Sequence, residues 1–228
     1  LEEVLHEAAR GVAGPRLRQT APMRRARHAH RADVDDLGAV LSRAFSRDPI
    51  WRWLVPADAA WAATPPLFAH EVARRVPHGQ AYTDDARGGV AVWVPPGGRL
   101  GRAQRVLRDL RDAPSAARVF RPGRIRDGLA VQAAMKAGTP REDHWYLAVL
   151  GVDPDHQGRG LGGTLIAPVL RRCDLDGVGA YLESSNERNV PFYRRHGFAP
   201  IDVVHPAGSP PMTLMWRDPR PVDDEDDR

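Results

Sequence analysis

Apolar residues recur at helical spacing in the first part of the chain. After Asp33 they predict a helix of about three turns. A second helix is expected over residues 57–76, interrupted at Pro65 and Pro66 because proline does not fit a helix interior. The aromatic-rich segment 48–56 between these two helices predicts a loop.

Strand-like and helix-like patterns alternate in the remainder of the chain. The predicted strands are residues 23–31, 80–83, 89–94, 145–152, 180–184, 198–204 and 212–216. The predicted helices are residues 100–137, 158–175 and 189–196. A strand hairpin followed by strand, helix, strand and helix favours an α+β or mixed α/β fold.

Composition narrows the class of protein. A chain of 228 residues with 42% hydrophobic residues favours one elaborated domain with a real core. Its single cysteine indicates a reducing compartment, and no apolar run reaches the length of a membrane span. Because the first residues are too acidic for a signal peptide, we expect a cytoplasmic protein without a membrane partner.

The net charge of +4 is distributed unevenly along the chain. Residues 99–136 carry ten basic and three acidic side chains, whereas residues 218–228 carry six acidic side chains and two arginines. A local charge of this kind does not predict a nucleic-acid-binding protein. The expected organisation is an N-terminal extension (1–22), a single domain (23–217) with an arginine-rich helical insert (99–137), and an acidic C-terminal tail (218–228).

A glycine-rich segment lies between a predicted strand and a predicted helix. Such a turn exposes backbone N–H groups at the positive end of the helix, which suits a phosphate. A P-loop is excluded because Thr164 stands where the motif requires lysine. Gly158, Gly160 and Gly163 match a dinucleotide fingerprint, and Glu183 follows at a suitable distance. That interpretation is disfavoured because five polar residues precede the first glycine and repeated βαβ units are missing.

Two motifs together point to one family. Gln157, Gly160 and Gly162 form a Gln-x-x-Gly-x-Gly pattern, and residues 186–198 combine asparagines, a Phe-Tyr pair and a Gly-Phe ending. In this order the motifs resemble the GCN5-related N-acetyltransferase (GNAT) family. The resemblance implies the GNAT fold, with a central, twisted, mostly antiparallel sheet of about 6–7 strands flanked by helices. It also implies direct transfer of acetyl from acetyl-CoA to an amine in a ternary complex.

The resemblance implies roles for individual residues. Glu183 is the candidate general base, with binding of a cationic acceptor as its alternative, and Tyr193 is the candidate general acid, with packing as its alternative. The residues expected to bind coenzyme A are Leu150, Gly151, Val152, Gln157, Gly158, Arg159, Gly160, Leu161, Gly162, Gly163, Thr164, Asn186, Asn189 and Tyr193. The residues expected to contact the acceptor are Phe45, Trp51, Trp53, Trp93, His144 and Tyr146.

The expected partner is a small-molecule amine, such as an antibiotic or a metabolite. The alternatives are a protein or peptide amine as acceptor, a member of the family that binds acyl-CoA without turnover, and, more remotely, a dinucleotide-binding oxidoreductase. No metal is expected because the histidines lack ligand spacing. Cys173 is expected to be a buried thiol rather than a nucleophile.

Overall fold

The computed structural model describes residues 25–55, 58–97 and 122–221. The strands are β1 (Arg27–His28), β2 (Ala81–Thr83), β3 (Gly89–Val94), β4 (His144–Val152), β5 (Gly179–Ser184), β6 (Ala199–Val204) and β7 (Met212–Arg217). The helices are α1 (Val34–Phe45), α2 (Pro49–Leu54), α3 (Asp58–Trp61), α4 (Thr64–Ala73), α5 (Pro122–Gly138), α6 (Leu161–Asp176) and α7 (Val190–Arg195). The expected N-terminal extension, the first part of the arginine-rich insert and most of the acidic tail lie outside the described residues.

The seven described strands form one sheet in the order β1-β2-β3-β4-β5-β7-β6. All neighbouring strands pair antiparallel except β4 and β5, which are parallel. The mostly antiparallel sheet flanked by helices confirms the predicted fold class. Because β4 and β5 are parallel, the chain must cross over between them, and α6 makes that connection.

Helices cover both faces of the sheet and divide the core into three clusters. On one face, α6 and α7 pack over a cluster that includes Trp93, Leu165 and Tyr193. On the other face, α1 and α4 pack over a second cluster around Leu41 and Phe68. A third cluster, here called the α2–α5 cluster, joins α2 and α5 to the start of β7; its buried members are Ile50, Leu54, Val55, Val131 and Met212.

The segment after α1 is a helix and not the predicted loop. Asp48 caps α2, because its side chain accepts a hydrogen bond from the N–H of Trp51 at 3.0 Å. Pro49 follows at the first helical position, where the missing N–H costs nothing. The sequence therefore carried a helix start signal that the density of aromatic residues in this segment obscured.

The two adjacent prolines begin a helix instead of interrupting one. They lie in the first turn of α4, and the break between α3 and α4 precedes them at Ala62 and Ala63. The first turn tolerates proline because its N–H groups have no intrahelical partner. No helix in the described part of the chain is long and apolar enough to cross a membrane.

Candidate active site

The two parallel strands in the middle of the sheet separate after a short contact. β4 and β5 pair only at His144–Gly179, Trp145–Ala180 and Tyr146–Tyr181. Beyond these pairs β4 remains paired with β3, and β5 remains paired with β7. A gap therefore opens between the C-terminal half of β4 and the end of β5.

The backbone of β4 presents hydrogen-bonding groups to this gap. The N–H of Asp153 donates to the carbonyl of Gly88 at 2.9 Å, on the β3 side. Since neighbouring N–H groups of an extended strand point to opposite edges, the N–H of Val152 points away from β3. The carbonyl of Val152 accepts a hydrogen bond from Nε2 of Gln157 at 2.9 Å, which ties the following loop to the strand.

The glycine-rich loop leads directly into α6, a helix of 16 residues. The first hydrogen bond of that helix joins the N–H of Thr164 to the carbonyl of Gly160. The N–H groups of Leu161, Gly162 and Gly163 therefore have no partner within the helix, and together with the helix dipole they form an anion site.

At two positions of the glycine-rich segment the structure explains why the residue is glycine. Gly160 caps α6 with a φ of 78°, in the left-handed region that favours glycine. Gly163 lies against α7, where an added Cβ would stand only 2.9 Å from the ring of His196. The glycine pattern thus serves the turn and the close packing of α7 beside the anion site.

A cleft of about 780 Å³ runs from this helix end to the gap between the strands. Eleven of the fourteen residues expected to bind coenzyme A line it: Leu150, Gly151, Val152, Gln157, Gly158, Gly160, Leu161, Gly162, Asn186, Asn189 and Tyr193. Arg159, Gly163 and Thr164 belong to the same loop and helix end but do not line the cleft.

Arginines outside the predicted set also line the cleft. Arg43 is held by Asp153 at 2.6 Å, and this pair fastens the end of α1 to the loop. Arg47, Arg188 and Arg195 line the cleft and form no ion pair with any residue in the described ranges. No local charge signal marks these arginines in the sequence, because other residues separate them along the chain.

Glu183 lies on β5 at the edge of the gap and is half-buried. Burial raises the pKa of its carboxyl group to about 7, and hydrogen bonds from Tyr146 and Tyr181 oppose this rise. A carboxylate is costly in such surroundings, so the group is close to its protonation midpoint at neutral pH. Burial, and secondarily the negative charge of Glu183, raises the pKa of Tyr146 well above its ordinary value.

Tyr193 lies on α7, is 8% exposed, and lines the cleft. Burial, and secondarily the negative charge of Asp48, raises the pKa of its hydroxyl group. Tyr193 is therefore protonated throughout the neutral pH range and can donate a proton or a hydrogen bond into the cleft.

Asp48 is a site residue that sequence reasoning missed. Its carboxylate is 6% exposed and lines the cleft, and it accepts a hydrogen bond from Oγ of Ser185 at 2.5 Å. Burial raises the pKa of Asp48, while the hydrogen bonds from Ser185 and from backbone N–H groups oppose the rise. The contact spans 137 positions of the sequence, so only its helix-capping role was accessible to a local pattern.

The predicted acceptor residues lie in different places. Phe45 lines the cleft and stacks on Phe68. Trp51 and Trp53 pack against the α2–α5 cluster, and His144 and Tyr146 stand beside Tyr181 near the strand gap. Trp93 is fully buried in the cluster under α6, so the structure gives it a packing position.

Three further predicted residues have clear local roles. Asn186 caps the short turn before α7 by accepting a hydrogen bond from the N–H of Arg188, whereas the side chain of Asn189 makes no capping bond. Cys173 is fully buried, and burial raises the pKa of its thiol to about 12, so it is protonated and shielded. Among the residues that the structure describes, no group of three or more His, Cys, Asp or Glu side chains is arranged to hold a metal ion.

A helix start that can bind an anion, next to a cleft, suits a transferase whose co-substrate carries a phosphate group. The protein-family model described as the Acetyltransferase (GNAT) family matches residues 119–198. That segment contains β4, the glycine-rich loop, α6, β5 and α7. The matched segment therefore includes both strands of the gap and most residues that line the cleft, whereas the lining residues 43–48 lie outside it.

Curated relatives agree with this class. An uncharacterized N-acetyltransferase of Schizosaccharomyces pombe is 27% identical over 210 residues, which cover 85% of this chain and 83% of that protein. A mycothiol acetyltransferase of Beutenbergia cavernae is 39% identical over 84 residues, which cover 36% of this chain and 28% of that protein.

Solved structures agree in fold. A histone acetyltransferase HPA2 and related acetyltransferase of Corynebacterium glutamicum has a TM-score of 0.61 at 22% identity, covering 87% of this chain and 98% of that one. An agmatine N-acetyltransferase has a TM-score of 0.60 at 16% identity, covering 85% and 98%. The fold is the GNAT fold, and the family model and relatives support an N-acetyltransferase of the GNAT family.

Proposed function

We propose that this protein transfers acetyl from acetyl-CoA to the amine of a small molecule by direct attack in a ternary complex. The observation that carries the proposal is a pair of proton-handling groups, Glu183 on β5 beside the strand gap and Tyr193 on the lining of the cleft. Glu183 has a pKa of about 7, which suits a base at neutral pH, and Tyr193 is held protonated, which suits an acid.

The residues of the cleft fit coenzyme A. The N–H groups at the start of α6, which have no partner within the helix, suit its pyrophosphate. Arg47, Arg188 and Arg195, which form no ion pair within the described ranges, supply cations for phosphate oxygens. The edge of β4 between Leu150 and Val152 suits the amide groups of the pantetheine arm. When bound, acetyl-CoA supplies an activated acyl group as a thioester.

This chain's own residues would then move the protons. At neutral pH most alkylamines are protonated, and the ammonium group must lose a proton before its nitrogen can attack. We assign Glu183 as the base that accepts this proton. The N–H of Val152 points into the gap and can donate a hydrogen bond to a carbonyl oxygen. Tyr193 is placed to give a proton to the leaving thiolate.

The acceptor class is part of the same proposal. The agmatine N-acetyltransferase among the structural neighbours bears the name of a small amine. Segments of the chain such as residues 90–93, 145–148 and 189–193 also resemble puromycin N-acetyltransferase, which adds antibiotic amines to the candidates. A protein or peptide amine is the second candidate, and an acyl-CoA-binding member without turnover is the third.

Ligand-induced stabilisation and thiol release test the proposal together. Acetyl-CoA at 100 times its Kd would stabilise the fold by about 2.7 kcal/mol, whereas NADH and NADPH would leave Tm unchanged. Thiol release should then depend on an added amine, in a panel that contains puromycin, agmatine, simple alkylamines and a lysine peptide. Stabilisation by a dinucleotide alone would overturn the proposal, and binding without turnover of any amine would favour the non-catalytic member.

Replacing Tyr193 by phenylalanine tests the acid. We expect Y193F to lower kcat by about 10²-fold with little change in the Kd of acetyl-CoA, because only the proton donor is lost. The matched control is Tyr82→Phe, since Tyr82 lies on β2 and packs on His28 outside the cleft-lining residues. Equal kcat values for Y193F and wild type would remove Tyr193 from the mechanism.

A further inference from the structure

The sheet register shows which side of the molecule Glu183 faces. Glu183 pairs with Leu214, and Tyr181 pairs with Trp216, across the antiparallel strands β5 and β7. Directly opposed residues share a face, and so do residues two apart along one strand. The side chain of Glu183 therefore lies on the same face as Leu214 and Met212.

That face is covered by apolar elements. Met212 belongs to the α2–α5 cluster, which also contains Ile50, Leu54 and Val131. Helix α5 approaches β7 so closely at Gly138 that an added Cβ would overlap Leu214, the strand partner of Glu183. The half-buried Trp51, Trp53 and Met135 extend the same apolar wall. Glu183 thus stands between two tyrosine rings and an apolar cluster.

Among the described residues on this side, Glu183 is a carboxylate without a basic partner. No arginine or lysine in the described ranges contributes to the pKa of Glu183, which is set by burial and by hydrogen bonds from Tyr146 and Tyr181. Glu71 on α4 is near enough to raise the pKa of Tyr146. However, Glu71 is neutralised by Arg74 at 3.4 Å and by Arg75 at 3.5 Å. Within the described ranges Glu183 therefore has no basic partner and can pair with a cation from outside.

We propose that the acceptor is a monoamine with an apolar alkyl or arylalkyl body, whose single amino group lies against Glu183. This inference rests on the proposed function, because it assigns the acceptor of the same site. The ammonium form supplies the counter-charge that Glu183 lacks, and the apolar body packs against the α2–α5 cluster. A diamine or polyamine would bring a second ammonium group against the α2–α5 cluster, whose described members are apolar, and an unpaired buried charge is expensive.

A matched pair of acceptors tests the inference. n-Hexylamine and 1,6-diaminohexane each have a chain of six carbon atoms. They differ only at one end, where n-hexylamine has a methyl group and 1,6-diaminohexane has a second ammonium group. With acetyl-CoA and the wild-type protein, we expect kcat/KM for n-hexylamine to exceed that for 1,6-diaminohexane by at least ten-fold. kcat/KM should also be higher for n-hexylamine and for 2-phenylethylamine than for ethylamine. Equal or faster turnover of the diamine would overturn the inference.

A charge placed on the apolar wall provides a second test. Met135→Glu introduces a carboxylate beside the α2–α5 cluster and should shift the ratio of kcat/KM values toward the diamine by about ten-fold. Leu129→Glu is the matched control, because Leu129 is on the same helix but is 59% exposed. The control should keep the wild-type ratio within two-fold. If both variants shift the ratio equally, the α2–α5 cluster does not select the acceptor.

The outcomes separate this inference from the proposed function. If no amine in either series increases thiol release, the proposed transferase activity fails as well. If agmatine, 1,6-diaminohexane or a lysine peptide is the preferred acceptor, the transferase activity stands and the monoamine assignment fails. If Met135→Glu does not fold, the comparison of the two amines with wild-type protein still decides the question.

Discussion

Two opposing effects set the charge of Glu183. Burial disfavours its carboxylate, whereas the phenol groups of Tyr146 and Tyr181 donate hydrogen bonds that favour it, and burial is the larger effect. The outcome is a pKa of about 7, compared with an ordinary value of 4.5. A base with this pKa is half deprotonated at neutral pH and still binds a proton well, which is the compromise that general base catalysis requires.

The first prediction concerns activity and pH at this residue. kcat/KM for the amine should rise with pH along a limb with an apparent pKa near 7, because only the deprotonated form of Glu183 accepts a proton. Glu183→Gln should lower kcat by about 10²-fold and abolish this limb. Thiol-release kinetics from pH 5.5 to 9 with one fixed amine would measure both effects. A wild-type limb that persists in E183Q would assign it to another group.

Stability should change in the opposite direction to activity. Because the folded-state pKa of Glu183 lies above its unfolded value, its protonated form is favoured by folding, and stability is lost as pH rises from about 4.5 through 7. Glutamine carries no charge, so E183Q should be more stable than wild type at pH 8, by roughly 1–3 kcal/mol, and similar in stability at pH 5. Urea unfolding at both pH values measures the difference, and a destabilised E183Q at pH 8 would contradict the assigned pKa.

At the scale of elements, α6 begins at the anion site with Gly160 as its N-cap and ends at Gly177, its C-cap. Gly160 at its start and Gly177 at its end both have positive φ, of 78° and 65°, with nothing within 4 Å of an added Cβ. An L-residue in either position therefore meets the same local strain, about 1–2 kcal/mol. Only Gly160 belongs to the loop that lines the cleft.

The second prediction compares alanine substitutions at Gly160 and Gly177, the two ends of α6. Gly160→Ala and Gly177→Ala should lower the free energy of unfolding by similar amounts, about 1–2 kcal/mol each. Only Gly160→Ala should also raise the Kd of acetyl-CoA, by at least five-fold, because the strained cap displaces the N–H groups of the first turn. Isothermal titration of both variants with acetyl-CoA separates strain from binding. Equal Kd values would show that the helix start does not hold the phosphates.

Elements with a local signal were predicted well. The glycine-rich loop and the strands around it were located from residues that are neighbours in sequence, and the fold class followed from their order. The start of α2 was missed although Asp48 and Pro49 form a helix start, because the aromatic residues that follow them suggested a loop. The break near Pro65 was misplaced because prolines in a first turn and prolines in a helix interior give the same local pattern.

At the scale of the whole molecule, the parts that sequence could not supply are those made by long-range contact. The hydrogen bond from Ser185 to Asp48 joins the start of α2 to the end of β5, and the Arg43–Asp153 pair joins α1 to the loop before α6. Each brings together residues more than 100 positions apart, so neither leaves a periodic or spaced signature. The arginines of the cleft gave no local signal for the same reason, since they come from two distant stretches of the chain, residues 43–47 and 188–195.

A third long-range contact closes the sheet onto α6. Arg217 on β7 is 3% exposed and donates two hydrogen bonds to the carboxylate of Asp174 on α6, at 2.8 and 2.7 Å. It also donates to the carbonyl of His196 at the end of α7. Hydrogen bonds from Arg217 and from the N–H of Arg220 outweigh desolvation and lower the pKa of Asp174. This contact holds β7 against α6 and α7, the two helices that border the cleft.

The third prediction is that this contact is needed for the fold as a whole. Asp174→Asn leaves the guanidinium of Arg217 buried without a counter-charge, which should cost about 3–5 kcal/mol. The matched control is Asp176→Asn on the same helix, where Asp176 pairs with the exposed Arg172 at 2.6 Å, and there we expect no measurable change in Tm. Because folding lowers the pKa of Asp174, the wild-type advantage should be complete well above pH 4 and should decrease progressively as pH falls below that value towards the folded-state pKa. Chemical denaturation of wild type and both variants at pH 7 and pH 3.5 tests the magnitude and its sign. Equal losses for the two variants at pH 7 would show that burial of Arg217 does not govern the strength of the contact.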